Sequence, residues 1–153
     1  MGQSIAHARR HRRLFALAVL DLNGFKTVND TYGHLAGDTL LIETARRIQK
    51  HICKEDTLAR TGGDKFTLLL TEIGRSEDAV GVAKTLTAAI RQPSHWEGSQ
   101  ITLAVSVGIA IYPDHGDDLN GLLQHADLAM YQAKDAADSD WAIAESGPDR
   151  IDS

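Results

Sequence analysis

A single cysteine, Cys53, in a chain of 153 residues excludes an internal disulfide and leaves no thiolate cluster for zinc or an iron–sulfur centre. That usage fits a reducing compartment, and the cytoplasm is the expected location. Long apolar runs are missing too. The longest, Leu14 to Leu20, is seven residues against the roughly 20 a membrane helix needs, and Met1-Gly2-Gln3 opens no secretory signal, so we expect no direct membrane insertion. An excess of positive charge is also absent. The formal net charge of -5 argues against general nucleic-acid binding, whose affinity comes from cations set against phosphates. The local exception, Arg9, Arg10, Arg12 and Arg13 with His7 and His11, reads as a solvated helix face or a linker. None of the 7 His residues stands in an H-E-x-x-H arrangement, and none is read as a metal ligand.

What is present is ordinary globular material: 42% hydrophobic and 24% charged residues, enough chain for one sizeable core and too little for two domains. We expect an N-terminal helix or linker over 1–13, one domain over 14–145, and a C-terminal tail over 146–153, where Ser146-Gly147-Pro148-Asp149 gives linker signals.

Leu14 to Leu20 ends abruptly at Asp21, as a buried strand with a carboxylate at its mouth, and Asn23-Gly24 marks a turn. A helix from Phe25 stops near Gly33. A second carries Leu41, Ala45, Ile48 and Ile52 on one face, with Asp38 placed as N-cap and Arg46, Arg47 and Lys50 toward water. Leu58-Ala59 and Phe66 to Leu70 flank Thr61-Gly62-Gly63-Asp64 as a β-hairpin. Val80, Ala83, Leu86 and Ile90 predict a helix over 77–91, capped by Ser76 and ended by Pro93. From Ile101 to Ile111 the odd positions are apolar, which predicts a strand with one buried face. Leu119, Leu122, Leu123, Ala126, Met130 and Ala133 make a last helix, before a short strand around Trp141 and Ile143. This βααββαβαβ order suits an α+β domain with a mostly antiparallel five-stranded sheet flanked by helices.

If the strands of Asp21 and Asp64 are sheet neighbours, their carboxylates converge at one end of the sheet. Mg²⁺ usually takes one or two protein carboxylates and completes its octahedron with phosphates and water. The same two residues also serve as a strand-end turn residue and a turn former beside two glycines, and spacing alone leaves both readings open.

The stretch from Asp21 to Asp38, with Phe25-Lys26, Asn29-Asp30, Gly33-His34 and Gly37-Asp38 in order, resembles the D-x-D-x-F-K-x-x-N-D-x-x-G-H-x-x-G-D of GGDEF domains, the diguanylate cyclase family. Asn23 replaces the second Asp. Ala59-Arg60-Thr61-Gly62-Gly63-Asp64-Lys65-Phe66, Ser106-Val107-Gly108-Ile109-Ala110 and Ala126-Asp127-Leu128-Ala129-Met130-Tyr131-Gln132-Ala133-Lys134 continue the match. The L-T-x-L-x-N-R segment usual upstream is absent, so the chain is expected to be part of a longer protein.

The resemblance implies a ferredoxin-like, nucleotide-cyclase-palm fold, and a reaction in which two facing domains each hold one GTP and condense the pair to cyclic di-GMP. Asp21, the Leu22 backbone carbonyl and Asp64 match the positions for Mg²⁺ or Mn²⁺. Asn23 to Lys26, with Phe25, matches a phosphate loop whose backbone N–H groups form an anion nest. Gly62 and Gly63 let the hairpin approach the nucleotide, or simply make a tight turn. Asn29 and Asp38 match the pair that reads guanine; helix capping is their plain alternative. Lys134 matches a phosphate-binding lysine. A second GGDEF domain, or an adjacent EAL-type phosphodiesterase or sensor domain, is the expected partner.

Two departures bear on catalysis. The fourth signature residue, Glu in active members, is Lys65. At about 5 Å and an effective dielectric near 20, a unit-charge pair is worth roughly 3 kcal/mol, so reversing the sign costs several decades of rate. The phosphate-binding Arg of the last motif is Asp138, an anion facing a triphosphate. The inhibitory product site, R-x-x-D in the family, survives only as Asp56, with Cys53 in place of the Arg. We therefore expect a catalytically degenerate module that recognises GTP and regulates a neighbour, with an active cyclase and a nucleotide-free interaction module as the alternatives.

Overall fold

The computed structural model describes residues 14–135 and 141–144. The basic stretch, the expected N-terminal helix, Asp138 and the C-terminal tail lie outside the described residues. Eleven elements follow in order: β1 (Leu14–Asn23), α1 (Phe25–Tyr32), α2 (His34–Gln49), β2 (Thr57–Arg60), β3 (Lys65–Ile73), α3 (Ser76–Ile90), β4 (Ser94–Trp96), β5 (Ser99–Ile101), β6 (Ala104–Tyr112), α4 (Leu119–Asp135) and β7 (Trp141–Ile143). The five-stranded sheet runs β2-β3-β1-β6-β7, antiparallel except for the β6–β7 pair. β4 and β5 form a separate two-stranded hairpin.

β1 sits at the centre because it is apolar at nearly every position, as a strand covered on both faces must be. Its alternate side chains feed two cores. Ala16, Ala18, Leu20 and Leu22 pack with Leu40, Ile48, Leu86 and Ile90 of α2 and α3, whereas Phe15, Leu17 and Val19 pack with Leu122, Ala126 and Met130 of α4. β6 is likewise buried on both faces, which corrects the one-face expectation. Gly108 makes that possible: a Cβ there would overlap the backbone carbonyl of Ala126 and the backbone nitrogen of Met130, so α4 lies directly on the strand.

Other departures are local. The run from 101 to 111 is broken after Ile101, where the β4–β5 hairpin ends and β6 begins at Ala104. Asp38 is not a cap: Gly33, at φ 93, ends α1 and opens α2, placing Asp38 within the second helix. Arg75, not Ser76, caps α3, with Asp78 accepting from its backbone N–H at 3.2 Å. Arg47 does not face water. Its guanidinium donates to the carbonyls of Ala89, Ile90, Gln92 and Pro93, satisfying the free carbonyl end of α3 and tying α2 to it. Leu123, counted on the buried face of α4, is exposed. Among the described residues no helix is long and apolar enough to cross a membrane.

Candidate functional site

The site forms where β1 and β3 end side by side. Asp21 is the cross-strand partner of Lys65 on one side and of Ser106 on the other. The next residue, Leu22, donates its backbone N–H to the Asp64 carbonyl at 3.0 Å. Sheet pairing therefore brings together Asp21, Leu22, Asp64 and Lys65 from segments about forty residues apart, as the strand-neighbour reading required. The β2–β3 turn is closed by Thr61 N–H on the Lys65 carbonyl at 2.9 Å, leaving Gly62 and Gly63 exposed at its tip.

Beyond Asn23 the chain turns through Gly24, at φ 82, and enters α1. That left-handed turn suits glycine, and it leaves the first N–H groups of α1 without helical partners at the mouth of β1. Phe25 is buried and anchors the turn, while Lys26 is exposed beside it. Asn23 stays at the strand end, its Nδ2 donating to Ser106 Oγ at 3.0 Å while its Oδ1 is buried with no partner among the described residues.

Asn29, on α1, faces the start of α2 so closely that a Cβ on Gly37 would overlap its Oδ1. Asp38 follows Gly37 and is exposed. The two expected guanine-side residues thus lie on adjacent helices, and Gly37, to which the sequence reading gave no role, makes room for one of them.

The last helix delivers two charges to the same mouth. Lys134 Nζ donates to Asp21 Oδ2 at 3.1 Å, its side chain 45% exposed against 9% for Asp21. The hydrogen bond and charge of Asp21 hold the Lys134 pKa above the ordinary lysine value; partial burial opposes this, and Asp64 and Tyr131 add to it. Lys65 Nζ donates to Asp127 Oδ1 at 3.3 Å and stands 5.6 Å from the centre of the Tyr131 ring. Burial works to lower the Lys65 pKa, but the hydrogen bond and charge of Asp127, with Tyr131 and Asp21, hold it above the ordinary value. Both lysines are ammonium ions at neutral pH. Lys65, Asp127 and Thr61 also line a cavity of about 330 Å³ with Val19, Thr67, Leu123 and Gln124. Sequence reading assigned Asp127 no role. The available signal was its place seven residues before Lys134, two turns along one helix face.

The residues fit a lone divalent ion poorly. Asp21 is already paired with an ammonium, the fourth signature position is a cation, and among the described residues no three His, Cys, Asp or Glu side chains gather into a metal-holding group. Asp56, expected as a remnant of the inhibitory site, immediately precedes β2. Its carboxylate accepts from Cys53 N at 2.8 Å and from Thr71 N at 3.0 Å, so both oxygens brace the chain.

Comparison with known proteins agrees with this geometry. The model of the diguanylate cyclase GGDEF domain matches residues 1–140. The bifunctional diguanylate cyclase/cyclic di-GMP phosphodiesterase MucR of Pseudomonas aeruginosa is 44% identical over 95% of this chain and 21% of its own length. Diguanylate cyclase TpbB of the same species is 37% identical over 99% of this chain and 35% of its own. The chain therefore spans about a fifth to a third of these relatives. The crystal structure of the TpbB GGDEF domain superposes with a TM-score of 0.90 at 38% identity, covering 94% of this chain and 89% of that one. This chain belongs to the GGDEF domain family of diguanylate cyclases and is a domain of cyclic di-GMP signalling.

Proposed function

We propose that this domain is a catalytically degenerate GGDEF module that binds GTP and regulates a neighbouring domain. The observation that carries the reading is the split between the two ends of the site. On the guanine side, Asn29, Gly37 and Asp38 keep the family's residues, with Asn29 packed directly against Gly37 and Asp38 exposed beside it. On the phosphate side, the fourth signature position holds Lys65, bound to Asp127.

Diguanylate cyclases generally use Mg²⁺. Such an ion would supply positive charge beside the triphosphate. Asp21, the Leu22 carbonyl and Asp64 remain as its expected ligands, but the acid that would complete them is replaced by an ammonium. Recognition of the base depends on none of these groups. A carboxylate such as Asp38 accepts from the guanine N1–H and exocyclic amine, and an amide such as Asn29 serves the ring acceptors. The neighbour is expected to be an EAL-type phosphodiesterase or a sensor domain, or a second GGDEF domain. MucR, whose name joins both activities, supports that expectation.

One observation favours a second reading, a slow cyclase. The Lys65–Asp127 ion pair neutralises part of the repulsion a bare lysine would exert on metal and phosphate, although it supplies no replacement acid. Calorimetric titration of the purified domain with GTP and with ATP tests the main reading. GTP should bind measurably and more tightly than ATP. Absence of GTP binding at millimolar concentration would leave only an interaction role.

A further inference from the structure

Asp21 is the most buried acid at the mouth of the sheet, and one of its two carboxylate oxygens, Oδ2, accepts from Lys134 Nζ at 3.1 Å. A divalent ion approaching Asp21 meets an ammonium on one carboxylate oxygen and a second ammonium, Lys65, on the residue directly across the strand pair. The opposing preference belongs to a polyphosphate. Lys134 uses one of its three N–H donors on Asp21 and is 45% exposed, so donors remain for a phosphate oxygen without loss of the carboxylate. Lys26 is exposed in the first turn of α1, whose initial N–H groups have no intrahelical acceptors and which follows directly on the end of β1. Metal bound with a nucleotide serves largely to offset carboxylate against phosphate charge. Here that offset is built into the chain.

We propose that the domain binds its guanine nucleoside triphosphate without a divalent cation, the Lys134 ammonium on Asp21 supplying the positive charge between carboxylate and phosphate. The proposal rests on the GTP-binding reading and goes beyond it. Lys134 is a binding residue with an internal partner, and Lys65 puts an ammonium where the family's fourth signature acid would stand. The division of labour then follows from charge: Asn29 and Asp38 select the base, while Lys134 and Lys26 hold the phosphates with no ion between.

The test is titration of the intact domain with GTP in excess EDTA and again in 5 mM MgCl₂, a concentration on the order of millimolar chosen to exceed ordinary Mg²⁺–phosphate affinity. Affinity in EDTA within about threefold of that in Mg²⁺ supports the proposal, since a metal-bridged phosphate would lose far more than tenfold. Binding seen only with Mg²⁺ overturns it and leaves the GTP-binding reading standing. No binding in either buffer overturns both. Lys134→Gln, confirmed folded by its cooperative melt, should weaken binding in EDTA by about tenfold or more. Undiminished EDTA binding by a folded Lys134→Gln would contradict the assignment to Lys134. Lys65→Glu restores an acid and should make binding rise with Mg²⁺, a dependence the unaltered chain lacks.

Discussion

Lys134 Nζ lies 3.1 Å from Asp21 Oδ2, joining residues 113 apart in the sequence at the mouth of the sheet. The pair locks the C-terminal half of α4 to the end of β1 and holds Lys134 beside Asp64. It places an ammonium of the site on its most buried acid.

The ion pair has a defined pH window. The Lys134 pKa is raised by the hydrogen bond and charge of Asp21, so its contribution to stability is fully present below the unfolded value of about 10.4. It is lost as pH rises through the higher folded value. Thermal melts of the native chain and of Lys134→Gln should therefore differ at pH 7 and converge only as pH rises through the raised folded value. A gap that stays unchanged at every alkaline pH at which the fold survives would mean that the side chain stabilises by packing alone.

Gly37 leaves no room for a side chain. In Gly37→Ala the new methyl overlaps Asn29 Oδ1 and must push that amide from its position. A misplaced hydrogen-bonding group costs about 1–3 kcal/mol, so affinity for GTP should fall roughly tenfold or more, with little change in affinity for ATP. Titration of both nucleotides reads the difference.

Asp56 braces β2 rather than waiting for a ligand. Both carboxylate oxygens accept backbone N–H groups, from Cys53 and Thr71, so Asp56→Ala should lose about 1–2 kcal/mol of stability in urea denaturation. With the arginine of that motif replaced by Cys53, cyclic di-GMP should not bind there. Calorimetric titration with cyclic di-GMP, in native chain and variant alike, should show no binding attributable to this site.

Much of this was legible from residue pattern. The strand ending at Asp21, the hairpin around Gly62-Gly63 and the periodic helices follow from runs and alternation that local physics enforces. What was not legible depended on the third dimension. Arg47 lies on the helix face that sequence assigns to water, and only the approach of α3 gives its guanidinium four carbonyls to bond. Ser76 has the better capping side chain, but Asp78 reaches back to the backbone of Arg75 and shifts the start by one. The alternating pattern of β6 suggests one buried face, yet small residues at Gly108 and Ala110 admit α4 to the other. In the site, the charge reversal at Lys65 was plain, while its partner Asp127 required knowing which face of α4 meets β3.

Restoring the two reversed charges tests the cause of the proposed inactivity. Lys65→Glu combined with Asp138→Arg should yield measurable cyclic di-GMP from GTP and Mg²⁺, and Lys65→Glu alone less. The Lys65–Asp127 pair is partly exposed, so its loss should cost no more than about 1 kcal/mol of stability and the variant should fold. Continued silence in a folded double variant would place the defect elsewhere.

The most direct measurement is to incubate the purified domain with saturating GTP and Mg²⁺ or Mn²⁺ and to quantify cyclic di-GMP and intact GTP retained by the protein. Retained, intact GTP with no cyclic di-GMP above a protein-free control is the predicted result; steady accumulation of cyclic di-GMP would contradict a domain whose recognition has outlived its catalysis.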